Sequence, residues 1–146
     1  MWKDIWSEKG EDFADFDITN LIKTDGFDTS GTSLNTRSWM DFFEYVAKLI
    51  QIDSDKKRVL EIGCGGGAAL KALSFINDKL EIYGIDYSQN LIKLAKRAIK
   101  NGNFVCDEAI NIDSIFAKEN GGGDLTLYFQ TPHFITSQTK NMFLVS

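Results

Sequence analysis

The sequence has few cysteines, no long apolar run and no excess of basic residues, and each absence narrows the kinds of protein it can encode. Its two cysteines, Cys64 and Cys106, form no metal-like pair, so we expect no bound metal. Without a signal peptide they indicate a reducing, cytoplasmic compartment. No apolar run approaches the length needed to cross a bilayer, so we expect no membrane partner. The net charge of −5 argues against a nucleic-acid partner.

The composition that remains is typical of a single globular domain with a real core, at 146 residues and 43% hydrophobic content. We assign residues 1–36 to an acidic, aromatic N-terminal arm and residues 37–146 to the domain. The arm is expected to act as a lid or to remain a mobile appendage, and in neither case to join the core. Ser38 and Asp41 resemble a capping box, which predicts a helix over residues 39–51.

Apolar runs typical of strands alternate with helical patterns through the rest of the chain. This rhythm predicts an α/β fold, in which a parallel, Rossmann-like sheet is flanked by helices. Ser88 is the predicted N-cap of one helix. The predicted strands cover residues 59–62, 80–85, 104–106 and 124–129, and the predicted helices between them cover 69–76, 89–100 and 110–118.

A glycine cluster follows the first strand, in the run Gly63-Cys64-Gly65-Gly66-Gly67. It fits G-x-G-x-G and, with Ala68, also the dinucleotide form G-x-G-x-x-A, so the loop alone does not decide the ligand. The amide groups that open the next helix are expected to face that ligand. Asp86 ends the second strand, where a carboxylate can accept both hydroxyls of a ribose.

Glu61 separates the two kinds of ligand. It lies two residues before Gly63, where a carboxylate would repel a pyrophosphate and favour a cofactor with a sulfonium and an ammonium group. With Glu61 and the glycine loop, the runs Gly84-Ile85-Asp86-Tyr87-Ser88 and Cys106-Asp107-Glu108-Ala109 make the chain resemble the class I S-adenosylmethionine-dependent methyltransferases. The resemblance extends over roughly residues 56–129.

The resemblance implies a role for each matching residue. The loop would lie against the methionine moiety of S-adenosyl-L-methionine, Glu61 would hold its amino group, and Asp86 would bind its ribose. Gln130 would lie near the departing methyl, and His133, the only histidine, is a candidate general base. Cys64 is expected to fill space in the turn and not to act as a nucleophile. The implied cofactor-binding residues are Glu61, Gly63, Cys64, Gly65, Gly67, Asp86, Tyr87 over the adenine face, Asp107 at the adenine amine and Glu108 beside the ring.

The sequence departs from the family after Phe129. The family fold has a seven-stranded sheet, and the residues after Phe129 are too few for the missing strands, so the chain is expected to be C-terminally truncated. We therefore expect an open sheet edge. Three outcomes are consistent with it: a second copy or another chain covers the edge, the chain is a fragment that binds cofactor poorly, or it binds cofactor without turnover. The favoured function is methyl transfer to a small-molecule acceptor. The alternatives are a non-catalytic S-adenosylmethionine-binding or interaction domain and an NAD-binding domain.

Overall fold

The computed structural model describes residues 17–27, 35–52 and 57–111, and it describes the backbone of residues 127–130. These residues form an α/β fold, which confirms the predicted fold class. A short 3₁₀ turn, Ala109–Asn111, follows the third strand. The other elements are α1 (Ile18–Thr24), α2 (Thr36–Leu49), β1 (Arg58–Ile62), α3 (Ala68–Ile76), β2 (Glu81–Asp86), α4 (Gln89–Ala98), β3 (Asn103–Cys106) and β4 (Leu127–Gln130).

The four strands form one parallel sheet in the order β3-β2-β1-β4. The chain moves outward from β1 to β2 and β3, and then returns to the other side of β1 for β4. Strand order therefore reverses at β1, and ligands of such sheets bind at the carboxyl ends of the strands at that point. In the register, Ile62 lies between Ile85 and Gln130, so the ends of the three strands are level.

Buried apolar residues of α3 and α4 belong to one core cluster with residues of β1, β2 and β3. Ser88 caps α4 as predicted, because its Oγ accepts the amide of Leu91 at 3.4 Å. The helix α3 begins differently, since its N-cap is Gly67 in the left-handed conformation and supplies no side-chain acceptor. The buried residues of α3 and α4 are Ala68, Ala69, Leu70, Ala72 and Leu73, and Leu91, Ile92, Leu94, Ala95 and Ala98.

The capping box of α2 lies three residues before the predicted one. Asn35 accepts the amide of Ser38 at 3.0 Å, and the Ser38 hydroxyl accepts the amide of Asn35 at 2.9 Å. The prediction that Ser38 and Asp41 form the box is therefore wrong. The extended backbone of Asn35 (φ −133°) and its short amide side chain allow it to cap the helix one turn earlier.

The described part of the arm belongs to the core, which corrects the expectation that the arm stays outside it. Leu21 and Ile22 of α1 are fully buried in the same cluster as the helices of the sheet. Trp39 of α2 is 5% exposed and packs against Phe27 and Phe43, with ring centroids 4.8 and 5.0 Å away. Burial of these large side chains supplies the driving force that attaches the segment.

Several predictions concern residues outside the described ranges. They are residues 1–16 and 28–34 of the arm predicted over 1–36, all but the first two residues of the helix predicted over 110–118, and the position of His133. None of the described helices is long and apolar enough to span a bilayer.

Candidate cofactor site

The glycine loop between β1 and α3 depends on left-handed backbone conformations. Gly63, Gly65 and Gly67 have φ values of 68°, 54° and 87°, which other residues adopt only with strain. A Cβ atom on Gly63 would meet nothing within 4 Å, so the loop is open to a ligand at its first residue. A Cβ atom on Gly65 would instead collide with the carboxyl group of Asp25.

Every amide of the loop from Gly63 to Ala68 donates to an acceptor within the protein. Two carboxylates take three of them: Asp86 accepts the amide of Gly65 at 2.9 Å, and Asp25 accepts those of Gly66 and Ala68. The other three amides go to backbone oxygens, namely Gly63 and Cys64 to Ile85 O and Gly67 to Cys64 O. The expectation that the amides opening α3 face a ligand is therefore wrong at Gly66 and Ala68, because Asp25 occupies them.

Asp25 contacts the glycine loop, and the sequence did not predict it as part of the site. It is the C-cap of α1, it is 8% exposed, and both of its carboxylate oxygens reach the loop. In sequence, Asp25-Gly26 is typical of a surface turn. No local pattern connects it with a loop 41 residues further along the chain.

Asp86 lies at the carboxyl end of β2 and is 7% exposed. Its Oδ2 accepts the amide of Gly65, and its Oδ1 accepts the amide of Ser88 at 2.8 Å. Burial raises the pKa of this carboxyl, although the two amide hydrogen bonds act in the opposite direction. Each oxygen still has a second lone pair, so the carboxylate retains capacity to accept further hydroxyl groups.

Glu61 contributes a third buried carboxylate, within the central strand β1 and 1% exposed. Its effect is seen at Cys64, whose thiol pKa is raised well above the ordinary value by burial and then by Glu61, Asp86 and Asp25. The three carboxylates therefore surround the glycine loop and concentrate negative charge there. A buried and protonated thiol is a poor nucleophile, which agrees with the space-filling role expected for Cys64.

The end of β3 continues the site beside β2. The amide of Asp107 donates to the backbone oxygen of Asp86 at 3.0 Å, which places the two acidic residues next to each other. Hydrogen bonds from the Asn111 side chain and the Glu108 amide lower the pKa of Asp107. Tyr87, which directly follows Asp86 at the end of β2, is 36% exposed.

The structure thus brings most of the predicted site residues to one edge of the sheet. Gln130 ends β4 with its backbone beside Ile62, and its side chain is outside the description, as is all of His133. The role of each residue toward a cofactor stays a prediction. The residues brought together are Glu61, Gly63, Cys64, Gly65, Gly67, Asp86, Tyr87, Asp107 and Glu108.

The parallel sheet, the glycine turn after β1 and the acidic residue ending β2 define an α/β domain for a nucleoside-containing cofactor. The particular family is shown by its sequence model, described as "Methyltransferase domain", which matches residues 60–144. The chain belongs to this methyltransferase family.

Two relatives that match part of this chain are named as methyltransferases. The chain is 28% identical over 97 residues to the demethylmenaquinone methyltransferase of Thermotoga maritima, covering 66% of this chain and 37% of that protein. It is 38% identical over 53 residues to the malonyl-[acyl-carrier protein] O-methyltransferase of Bacillus anthracis, covering 35% and 20%. The chain therefore matches well under half the length of each relative.

A solved structure of the plantazolicin methyltransferase BpumL in complex with SAH has the same fold. It superposes with a TM-score of 0.51 at 21% identity, covering 65% of this chain and 36% of that one.

The cofactor of this family is S-adenosylmethionine, and the residues present fit it. The open space at Gly63 admits a ligand, and the surrounding carboxylates suit its sulfonium and ammonium groups.

Proposed function

We propose that this chain carries the cofactor-binding part of a methyltransferase that transfers a methyl group from S-adenosylmethionine to a small-molecule acceptor. The observation that carries the proposal is the glycine loop whose amides from Gly63 to Ala68 are all taken, two of them by Asp25 and one by Asp86. A pyrophosphate would need those amides and would meet three carboxylates. The same loop accepts a ligand with positive charge.

The residues have distinct tasks in this proposal. Asp86, held by the amides of Gly65 and Ser88, presents its remaining lone pairs to the ribose hydroxyls. Glu61 faces the ammonium group, directly or through water. Tyr87 covers the adenine face, and Asp107 with Glu108 lies at its amine edge.

Bound S-adenosylmethionine brings a methyl group already activated on sulfonium, so the chain needs mainly to position the reactants. The carboxylates at the loop hold a positively charged ligand in the ground state. Gln130 at the end of β4 lies on the side of β1 that faces away from Asp86, which suits a role toward the acceptor. His133 is the proposed base for acceptors that must lose a proton.

The proposal of a small-molecule acceptor is supported by the charge of the chain, since a net charge of −5 disfavours a polyanionic substrate. The two curated relatives have a demethylmenaquinone and a carrier-bound malonyl group in their names. These acceptors differ in kind, so neither is transferred to this chain.

Calorimetric titration with S-adenosylhomocysteine tests the cofactor part of the proposal. We expect binding by the intact chain and a loss of about tenfold or more in affinity for Asp86→Asn. Asp78→Asn is the matched control, because Asp78 lies in an exposed turn away from the loop. Binding of NAD in preference to S-adenosylhomocysteine would contradict the proposal and support the dinucleotide alternative.

A further inference from the structure

The contact between Asp25 and the glycine loop joins two segments that are far apart in sequence. Asp25 ends α1, while Gly66 and Ala68 lie at the start of α3, 41 and 43 residues later. Asp25 accepts both amides, the one from Ala68 at 2.9 Å, with its two oxygens. The carboxyl group is buried, and α1 is anchored beside it by the fully buried Leu21 and Ile22.

Asp25 lies at the start of α3, and helix N-termini in general can bind anions. The first amides of a helix carry partial positive charge and ordinarily donate hydrogen bonds to a phosphate or to a capping side chain. The N-cap of α3 is Gly67, which has no side chain to offer. The carboxylate from α1 therefore replaces both the missing cap and any external anion.

The same contact determines the shape of the loop. Gly65 lies against the Asp25 carboxyl, closely enough that a Cβ atom there would collide with it. Gly66 lies between this carboxyl and the side chain of Leu94 on α4. On its other side the loop is held by Asp86 through Gly65. Two carboxylates thus fix the loop from opposite neighbours, α1 and β2.

We propose that Asp25 is a positioning and specificity residue of the cofactor site: it holds the glycine loop for S-adenosylmethionine and closes the loop to phosphate-bearing ligands. The first half of this inference rests on the proposed function. The second half concerns the chain alone and is tested without the cofactor.

The variants Asp25→Ala and Asp25→Asn test the positioning role by titration with S-adenosylhomocysteine. Alanine leaves two buried amides without an acceptor, and asparagine keeps one acceptor oxygen. We expect affinity to fall about tenfold or more for alanine and by a smaller factor for asparagine. Unchanged or tighter binding by a folded Asp25→Ala protein would overturn the positioning role. Tighter binding is the result expected if the Asp25 carboxylate competes with the ligand, because the variant removes that competitor.

Asp17→Ala is the matched control because Asp17 caps the other end of the same helix. Asp17 is exposed, and its side chain accepts the amide of Thr19 at 3.1 Å, so it stabilises α1 without reaching the loop. Alanine removes this cap, and we expect the affinity of Asp17→Ala to stay within about twofold of the original. An equal loss in Asp17→Ala and Asp25→Ala would show that only helix stability matters, and would overturn a specific role for the carboxylate.

Two measurements need no cofactor and separate this inference from the proposed function. Hydrogen exchange by NMR should accelerate at Gly66 and Ala68 in Asp25→Ala, with no comparable change at Gly63, whose amide donates to Ile85. Inorganic pyrophosphate should raise the melting temperature of Asp25→Ala and leave that of the original protein unchanged. Unaltered exchange, or no gain of pyrophosphate binding, would overturn the inference even if S-adenosylhomocysteine binds; failure of S-adenosylhomocysteine to bind the original chain would refute the proposed function alone.

Discussion

The amide of Gly65 donates to the carboxylate of Asp86 at 2.9 Å, and this bond joins the glycine loop after β1 to the end of β2. The two residues that the sequence marks as separate motifs are therefore one structural unit. We therefore expect a substitution at either residue to disturb the other.

Substitution Asp86→Asn should weaken cofactor binding much more than it weakens the fold. The amide side chain can accept only one of the two backbone hydrogen bonds, but it also removes a buried charge whose desolvation is unfavourable. We expect a loss of about 1.5–3 kcal/mol in binding free energy for S-adenosylhomocysteine. Thermal unfolding measured beside the titration should show a shift of only a few degrees, and a collapse of the fold would contradict the prediction.

Cofactor affinity should fall as the pH is lowered, and burial moves this fall to higher pH because it raises the pKa of Asp86. As the pH falls through that raised pKa, the carboxylate gains a proton and loses an acceptor for the ribose. Titrations with S-adenosylhomocysteine from neutral pH downward should show the decline, and Asp86→Asn should remove most of it. The same decline in the variant would assign the effect to another group.

Without cofactor, the contribution of Asp86 to the free energy of unfolding should increase as the pH falls, whereas cofactor affinity decreases. Between the ordinary aspartate pKa of the unfolded chain and the raised pKa of native Asp86, the native state binds more protons than the unfolded state. The contribution of Asp86 to the free energy of unfolding therefore decreases as the pH rises through that interval. Denaturant unfolding of the original protein and Asp86→Asn, compared at each pH, isolates this contribution.

Alanine at Gly65 should be far more harmful to the fold than alanine at Gly63. Both residues have positive φ, so each substitution introduces backbone strain of about 1–2 kcal/mol. Only at Gly65 does the new methyl group also collide with Asp25, whereas at Gly63 it meets nothing within 4 Å. Melting temperatures should separate the two variants, while Gly63→Ala should still lose affinity for S-adenosylhomocysteine because its methyl group fills the open side of the loop. Equal stability losses would contradict the role assigned to Asp25.

The thiol of Cys64 should be unreactive in the native protein. It is buried, and burial together with three carboxylates raises its pKa, so almost no thiolate forms near neutral pH. A disulfide reagent at pH 8 should leave Cys64 unmodified until denaturant is added. Cys64→Ala should retain cofactor binding and lose about 1 kcal/mol of stability through the cavity it leaves. Rapid labelling of native Cys64 would contradict this interpretation.

The sequence allowed the sheet and its acidic edge to be predicted because their signals are local. A short apolar run followed by glycines, as at Val59–Gly67, and an apolar strand ended by Asp86, specify strand and turn within a few residues. The N-cap at Ser88 was found for the same reason. The start of α2 was missed by one turn because Asn35 and Ser38 can both cap a helix, and only the extended backbone at Asn35 distinguishes them.

The contribution of α1 could not be predicted because it depends on contacts between distant segments. Leu21 and Ile22 look the same in a surface helix and in a core helix until their partners are known. Asp25 has the local features of a turn residue, and its partners are backbone amides, which leave no trace in residue type. The sequence could therefore identify the end of the sheet at which a ligand is expected. It could not identify Asp25, whose side chain holds the glycine loop in place.

The position of Asp25 at the end of α1 affects the order in which parts of the protein fold. The unit β1-α3-β2 is continuous in sequence, and its contacts close short loops, which favours early formation. The loop inside that unit reaches its final shape only when a separate helix, 41 residues upstream of Gly66, docks against it. We therefore expect refolding to restore the sheet before it restores the capacity to bind cofactor. The delay between the two should be absent when folding starts from a state in which α1 is already docked.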